Sequence, residues 1–113
     1  MSKDREELIR RIIHTSSLLS SPVRLGIMVY LAMKSKALFT ELVEVLGITP
    51  GNLNSHLRKL ADSGYIKVKK VLADRPRTLI EITDKGLAET MKYVNDLIKM
   101  AEKILYARTN NSD

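Results

Sequence analysis

The stretch from Thr40 to Ser63, TELVEVLGITPGNLNSHLRKLADS, decides how this chain folds. Thr40 is a good N-cap for a short helix that ends at Gly47, since glycine readily adopts the left-handed conformation that closes a helix. Thr49 can cap a second helix with Pro50 at its first position, where the missing N–H of proline costs no hydrogen bond. Two short helices joined by about three residues around a glycine are typical of a helix-turn-helix motif.

Two further helices are predicted ahead of this stretch. Apolar residues at i, i+4 spacing predict an amphipathic helix over Arg5–Leu19. Ser21 can cap the next helix, which starts at Pro22, runs to about Lys34 and is apolar on nearly every side. Because such a helix has no polar face to expose, we expect it at the centre of the core. A short extended segment, Ala37–Phe39, follows it.

After the second short helix, which Gly64 ends, the hydrophobic period changes. Alternation of apolar and polar residues on either side of a polar, proline-containing turn predicts a β-hairpin over residues 65–82. A slip in this alternation at Lys69–Lys70 predicts a bulge that lets the first strand leave the core. We expect Arg75 and Arg77 to project together from the hairpin tip.

Length and composition limit the class of protein. The chain has 113 residues, which suits a single domain over 1–113. It has no cysteine, so disulfides and thiolate metal sites are excluded, and we expect neither a metal nor a cofactor. No apolar run is long enough to cross a bilayer, and the charged first residues do not resemble a signal peptide, so we expect a soluble, cytoplasmic protein with no membrane partner. No set of catalytic side chains stands out, which argues against an enzyme.

The positive charge is concentrated in one part of the chain. The formal net charge is +6, and residues 49–77 hold seven basic and two acidic side chains, a difference of +5. The basic residues lie on the second short helix and on the hairpin that follows it. A helix that reads a DNA groove beside a clamp on the phosphate backbone requires this placement. We therefore expect double-stranded DNA as the partner.

The second short helix has two distinct faces. On a helical wheel Leu53, Leu57 and Leu60 form one apolar stripe. The opposite face is short and polar, and it suits a major groove about 12 Å wide, where Asn can pair with adenine and Arg with guanine. An ordinary solvated helix and a merely solubilising hairpin tip are the alternatives. The candidate DNA-binding residues of the helix are Asn52, Asn54, Ser55, Arg58 and Lys59. Those of the hairpin are Lys67, Lys69, Arg75 and Arg77.

Four segments resemble the winged-helix regulators of the MarR/ArsR superfamily, in particular its small sensor-less members: Ile48–Leu60, Gly64–Ile66, Arg75–Thr78 and Ile82–Gly86. The resemblance implies an α+β, mostly α, fold in the order α-α-β-α-α-β-β-α, and a dimer that regulates transcription. It implies that the helix at Pro50–Ser63 enters the major groove and that residues 74–77, in the wing, lie near the minor groove. It also adds Thr49 to the candidate contacts.

The same resemblance leaves the question of an effector open. Metal sensors of the ArsR type use cysteine or clustered histidine and carboxylate ligands, and this sequence offers no such cluster. Many MarR proteins are longer and enclose a ligand pocket between dimer arms, which here are shorter. We therefore predict no metal site and make no prediction about a small-molecule effector.

The last helix, Asp84 to about Arg108, has the pattern of a dimerisation helix. Its apolar residues are spaced 4-3-4-3-4, as in a heptad repeat, and we call them the heptad stripe: Leu87, Met91, Val94, Ile98, Ala101 and Leu105. A second stripe lies beside it: Tyr93, Leu97, Met100 and Ile104. A core of this size cannot easily cover both, so we predict a homodimer through this helix, about 37 Å long, with Leu8 and Ile12 of the first helix taking part. The alternative is a long helix folded back over its own domain.

Three functions are compatible with these features. The first is a sequence-specific dimeric regulator of transcription, more readily a repressor. The second is an architectural protein that coats DNA through its phosphates with little sequence preference. The third is a winged-helix adaptor that binds other proteins.

Overall fold

The computed structural model describes residues 2–110 as five helices and one small sheet. The elements, in chain order, are α1 (Ser2–Thr15), α2 (Pro22–Lys34), β1 (Lys36–Leu38), α3 (Phe39–Leu46), α4 (Pro50–Asp62), β2 (Ile66–Leu72), β3 (Pro76–Ile82) and α5 (Asp84–Asn110). The three strands form an antiparallel sheet in the order β1-β3-β2. This arrangement confirms the predicted fold class, a mostly helical winged helix-turn-helix with a long last helix.

The core is built around α2, as its apolar sequence predicts. Ile27, Met28 and Leu31 of α2 are completely buried. They belong to one cluster with Leu42 of α3, the three leucines of α4 and Ile80 of β3. The helix-turn-helix helices and the sheet are therefore held rigidly against a common centre.

The capping predictions for the helix-turn-helix helices are confirmed except at the start of α3. Thr49 accepts a hydrogen bond from the backbone N–H of Asn52, and Gly47 closes α3 with φ +64°. However, α3 begins at Phe39, so Thr40 is not its cap. Instead the carboxylate of Glu41 accepts a hydrogen bond from the backbone N–H of Leu38, which satisfies one of the free N–H groups at the helix start.

The first helix is shorter than predicted. It ends at Thr15, and residues 16–20 form a turn in which the hydroxyl of Ser16 accepts a hydrogen bond from the backbone N–H of Leu19. Serine side chains compete in this way with helical hydrogen bonds. The turn allows Leu19 to enter the core, where it is fully buried. A continuous helix to Leu19 was therefore the wrong prediction.

The hairpin contains no bulge. The register of β2 and β3 is continuous from the Ile66–Ile82 pair to the Leu72–Pro76 pair, which leaves residues 73–75 as the turn. The hairpin leaves the core because its strands extend beyond it, so that Leu72 is 82% exposed. The change in the sequence pattern at Lys69–Lys70 marks the point where the strands lose contact with the core, not a change of register.

The helix α5 is joined tightly to the rest of the domain at its start. Thr83 caps it by accepting a hydrogen bond from the backbone N–H of Gly86, and the hydroxyl of Thr83 also donates to the carbonyl of Gly64. Gly86 packs against the backbone of Tyr65 so closely that a Cβ would lie 2.1 Å from its carbonyl oxygen. With 27 residues, α5 is about 40 Å long. It gives the molecule its elongated shape of 63 × 23 × 22 Å.

The helices α1 and α5 pack against each other within one chain. Arg11 donates two hydrogen bonds to the carboxylate of Asp96, at 2.9 and 3.2 Å, and Leu8 is buried in the same contact region. The prediction of Leu8 as a dimer contact is therefore wrong, because α5 of its own chain already covers it. Ile12 remains half-buried.

Candidate nucleic-acid interface

The helix α4 presents the polar face that its sequence predicts. Leu53, Leu57 and Leu60 are buried in the core. The predicted side chains on the other side are all exposed: Thr49, Asn52, Asn54, Ser55, Arg58 and Lys59. The predicted orientation of the helix is thus confirmed, and the DNA contacts assigned to this face stay a prediction.

The two basic side chains of this face have no acidic partner in the fold. Within the described part of the chain, neither Arg58 nor Lys59 forms a salt bridge. Their charges are therefore available to an external anion. Because the other exposed side chains on this face are short, an anionic ligand can approach the backbone of α4 closely.

The two faces of the hairpin differ in charge. Side chains alternate between the two faces of a strand, and Ile66 of β2 is buried in the core. Lys67 and Lys69 of the same strand therefore lie on the outer face of the sheet, away from the core. There the Nζ of Lys69 is 2.5 Å from Oε1 of Glu81. A hydrogen bond from Lys69, with the nearby charges of further lysines, lowers the pKa of Glu81. The positive charge of this outer face is thus partly compensated.

Lys70 lies on the opposite face of the hairpin and was missed by the sequence analysis. It shares its side of the sheet with Ile66 and Val68, beyond the point where the core ends, and it is exposed. Its Nζ donates a hydrogen bond to the hydroxyl of Thr78 at 2.8 Å, and no carboxylate pairs with it in the region described. A regular period of two counted from Ile66 would have identified this position.

The two arginines near the hairpin tip differ in their partners. Arg75 is an exposed residue of the turn. Arg77 is the second residue of β3, and its guanidinium donates two hydrogen bonds to Asp74, at 3.2 and 3.3 Å. These hydrogen bonds lower the pKa of Asp74. One of the two guanidinium groups predicted at the tip is thus paired with a carboxylate of the turn, and the DNA contacts assigned to both stay a prediction.

The heptad stripe is the largest apolar surface left open on α5. Met91 is 58% and Leu105 66% exposed, while Leu87, Ile98 and Ala101 are also exposed and Val94 is half-buried. In the second stripe Tyr93 is buried, and Leu97 and Met100 are half-buried. The single chain therefore covers most of the second stripe from within and leaves the heptad stripe uncovered.

The described residues contain neither a metal-binding cluster nor a helix that could span a membrane. Residues 2–110 contain no group of three or more histidine, aspartate or glutamate side chains close enough to hold a metal ion. In the same range, every helix is too short or too polar to span a bilayer.

The comparison with known protein families decides what this arrangement is. The model of the family described as "Winged helix DNA-binding domain" matches residues 23–101, which include the helix-turn-helix helices, the hairpin and most of α5. The chain belongs to the winged-helix DNA-binding domain family.

Similar proteins support this assignment at several levels of identity. A solved winged-helix structure, a transcriptional regulator homologue from Pyrococcus horikoshii, is 44% identical, with a TM-score of 0.83, and the match covers 87% of this chain and 97% of that one. An uncharacterized protein of Methanocaldococcus jannaschii is 35% identical over 75% of this chain and 94% of its own length. MepR, a transcription regulator of the Staphylococcus aureus multidrug efflux pump MepA, is 14% identical with a TM-score of 0.74, over 98% of this chain and 80% of MepR, and shows the shared fold alone.

The features of this interface differ in how directly the sequence predicts them. The exposed face of α4 follows from the spacing of three leucines within one helix. The partner of Lys69 is harder to predict, because Glu81 lies on the neighbouring strand, 12 positions away in the sequence. The winged-helix fold that the resemblance implies is confirmed by the family and by the structure.

Proposed function

We propose that this winged-helix protein is a dimeric, sequence-specific regulator of transcription that binds double-stranded DNA in the cytoplasm and acts as a repressor. We treat residues 1–113 as one domain. The observation that supports the proposal best is the exposed face of α4, where Asn, Ser and Arg side chains lie next to one another without acidic partners. Such side chains can distinguish base pairs by their hydrogen bonds in the major groove.

The contacts with bases are assigned to α4. In this proposal Asn52, Asn54, Ser55 and Arg58 face the base edges, while Thr49 and Lys59 face phosphates at either end of the helix. Arg58 is the strongest candidate for a base contact, because a guanidinium can bind guanine through two hydrogen bonds.

The contacts with the phosphate backbone and the minor groove are assigned to the hairpin. Arg75 at the tip is placed at the minor groove, whose negative potential attracts arginine where the groove is narrow. Lys70 is placed at a phosphate too. It lies on the face of the hairpin that it shares with Ile66 and Val68, beyond the point where the core ends. Lys69 and Arg77 contribute less to affinity than the sequence alone suggests, because Glu81 and Asp74 already compensate much of their charge, while Lys67 is placed at a phosphate.

The dimer is assigned to the heptad stripe of α5. A chain of this size leaves these apolar side chains in water, whereas a second copy related by a two-fold axis would cover the same stripe on both chains. The two copies of α4 would then enter successive major grooves about 34 Å apart. Ile12 is placed at the edge of this interface.

The specificity of binding tests the proposal. Duplex fragments bound by the protein are selected from the source genome, and their affinity is compared with that of random duplex at one fixed salt concentration. We expect the selected sites to bind at least about 10³-fold more tightly. A smaller ratio would favour an architectural protein, and no binding at low salt would favour a protein–protein adaptor.

A further inference from the structure

Arg24 is a positive charge inside the domain without a negative partner. It is half-buried on α2, and its guanidinium donates to the carbonyl of Leu18 at 2.7 Å and more weakly to that of Ser17 at 3.4 Å. Its Nη1 is 3.0 Å from Nδ1 of His56 on α4. All three acceptors are neutral, and no carboxylate among the described residues forms a salt bridge with Arg24.

His56 is held neutral by this arrangement. Because a guanidinium offers only hydrogen-bond donors, Nδ1 of His56 must accept, which places the imidazole proton on Nε2. Burial lowers the pKa of His56, and so do the positive charges of Arg24 and Lys59. The turn packed beside it, residues 16–21, has only serine and leucine side chains. No acidic group in these surroundings therefore offsets the two positive charges that act on His56.

The three basic side chains occupy one flank of α4. His56 is half-buried beside the leucine stripe, and Lys59 lies three residues further along, closer to the exposed face. The start of α2, where Pro22 is exposed, lies on the same side because Arg24 contacts His56. If α4 enters a major groove, one strand of the phosphate backbone runs along this flank.

We propose that Arg24, His56 and Lys59 together bind one phosphate of the DNA backbone, and that Nδ1 of His56 takes up a proton when the guanidinium of Arg24 turns from this nitrogen to the phosphate. The inference rests on the proposed function and adds to it a specific phosphate site and a dependence on pH. A phosphodiester oxygen supplies the negative charge that the half-buried Arg24 lacks. The phosphate also favours a positive charge on His56 beside that of Arg24, whereas the free protein disfavours this charge.

The direction of the pH dependence follows from these charges. The pKa of His56 is lowered in the free protein and rises when the phosphate is bound, so binding takes up a proton at pH values between the two. Affinity for DNA therefore increases as the pH falls through the range around and below about 6.5, where histidine titrates. One proton changes affinity by at most about tenfold per pH unit.

The first experiment measures the pH dependence on the full chain with a duplex that it binds. Affinity is measured at constant ionic strength from about pH 8 to about pH 5.5, and calorimetry in buffers of different ionisation enthalpy counts the protons taken up. We expect about tenfold tighter binding at the lower pH for the natural chain, and a flat profile for His56→Gln, whose amide oxygen can still accept from Arg24. A flat profile for the natural chain, or an unchanged one for His56→Gln, would overturn the proposal.

The second experiment measures the contact with the phosphate. Lys59→Gln and Arg24→Gln should each reduce the slope of log affinity against log salt, and the double variant by no more than about 0.9, because the two side chains share one phosphate. Lys92→Gln, on the exposed side of α5, removes the same charge and is the control. Because Arg24 also holds the turn before α2, the exposed Lys59 gives the decisive result if Arg24→Gln unfolds.

The two experiments separate this proposal from the function on which it rests. If the natural chain binds no duplex at low salt, the proposed function fails. If the natural chain binds a selected duplex but its affinity does not depend on pH, the phosphate site with His56 is refuted and the proposed function stands.

Discussion

At the scale of single residues, two glycines in helices differ sharply in what they tolerate. A Cβ on Gly86 would lie 2.1 Å from the carbonyl oxygen of Tyr65, whereas a Cβ on Gly51 would have no atom within 4 Å. We expect Gly86→Ala to destabilise the fold by about 3 kcal/mol, because the start of α5 must move away from the backbone of Tyr65. Gly51→Ala should leave stability unchanged or raise it by up to about 1 kcal/mol, since alanine favours a helix.

Urea unfolding of both variants checks this pair of predictions. The two substitutions add the same methyl group, so the difference between them reports the space around each glycine and not helix propensity. Equal stability of the two variants would show that α5 does not dock against Tyr65 as described.

Arg58 is the residue on which base recognition is expected to depend most. We expect Arg58→Ala to weaken binding to a selected site by about 1–3 kcal/mol and to relax the preference at one base pair. Arg108→Ala, an exposed arginine near the end of α5, removes the same charge and is the control. Competition binding against sites with single base changes measures both effects. An unchanged preference for Arg58→Ala would mean that the exposed face of α4 is not the reading face.

At the scale of elements, one partly buried ion pair holds α1 against α5. The side chain of Asp96 is only 5% exposed, and the two hydrogen bonds from Arg11 hold its pKa below the usual range. A lowered carboxyl pKa stabilises the fold fully above the value in the unfolded chain, about 3.9, and this stabilisation is lost as the pH falls through the folded value.

Replacing this carboxylate tests the pairing of the two helices. We expect Asp96→Asn to destabilise the protein by about 1–2 kcal/mol at neutral pH, a moderate effect because Arg11 is partly exposed to water. The loss should shrink in acid, where the natural carboxyl group is itself protonated. Urea unfolding near neutral pH and near pH 3, below the usual carboxyl pKa, measures the difference. A loss that is equally large at both would contradict the role assigned to the ion pair.

The exposed heptad stripe leads to a prediction about assembly. Ile98→Glu places a charge in the middle of the stripe, and we expect it to shift the protein from dimer to monomer, because a charge buried in an apolar interface has no partner. Asn95→Glu makes the same change in net charge at an exposed position outside the stripe and should leave the dimer intact. Sedimentation equilibrium measures the association of both. A natural chain that is monomeric at all concentrations would refute the assignment of the interface.

At the scale of the whole molecule, the proposed two-fold dimer predicts the layout of its binding site. Two copies of α4 about 34 Å apart read half-sites whose centres are about 10 base pairs apart. Inserting about five base pairs between the half-sites turns one of them to the far side of the duplex, so affinity should fall to that of a single half-site. Inserting about ten base pairs returns the half-site to the same side of the duplex as its partner. Affinity independent of the spacing would contradict a rigid dimer.

The sequence by itself determined the features that depend on neighbouring residues. The cap at Thr49, the left-handed Gly47 and the leucine stripe of α4 are all confirmed. Each depends on interactions within about one or two helical turns, which the order of residues specifies directly. The polar face of α4 follows from the same spacing.

Only the tertiary structure decided which charges and apolar faces are left free. Glu81 neutralises Lys69 from another strand, α5 covers Leu8, and the partner of Arg24 is a histidine 32 positions away on another helix. The sequence shows that these groups exist, but ion pairing and burial depend on distances through space. Those distances are set when α1, α5 and the hairpin pack around α2.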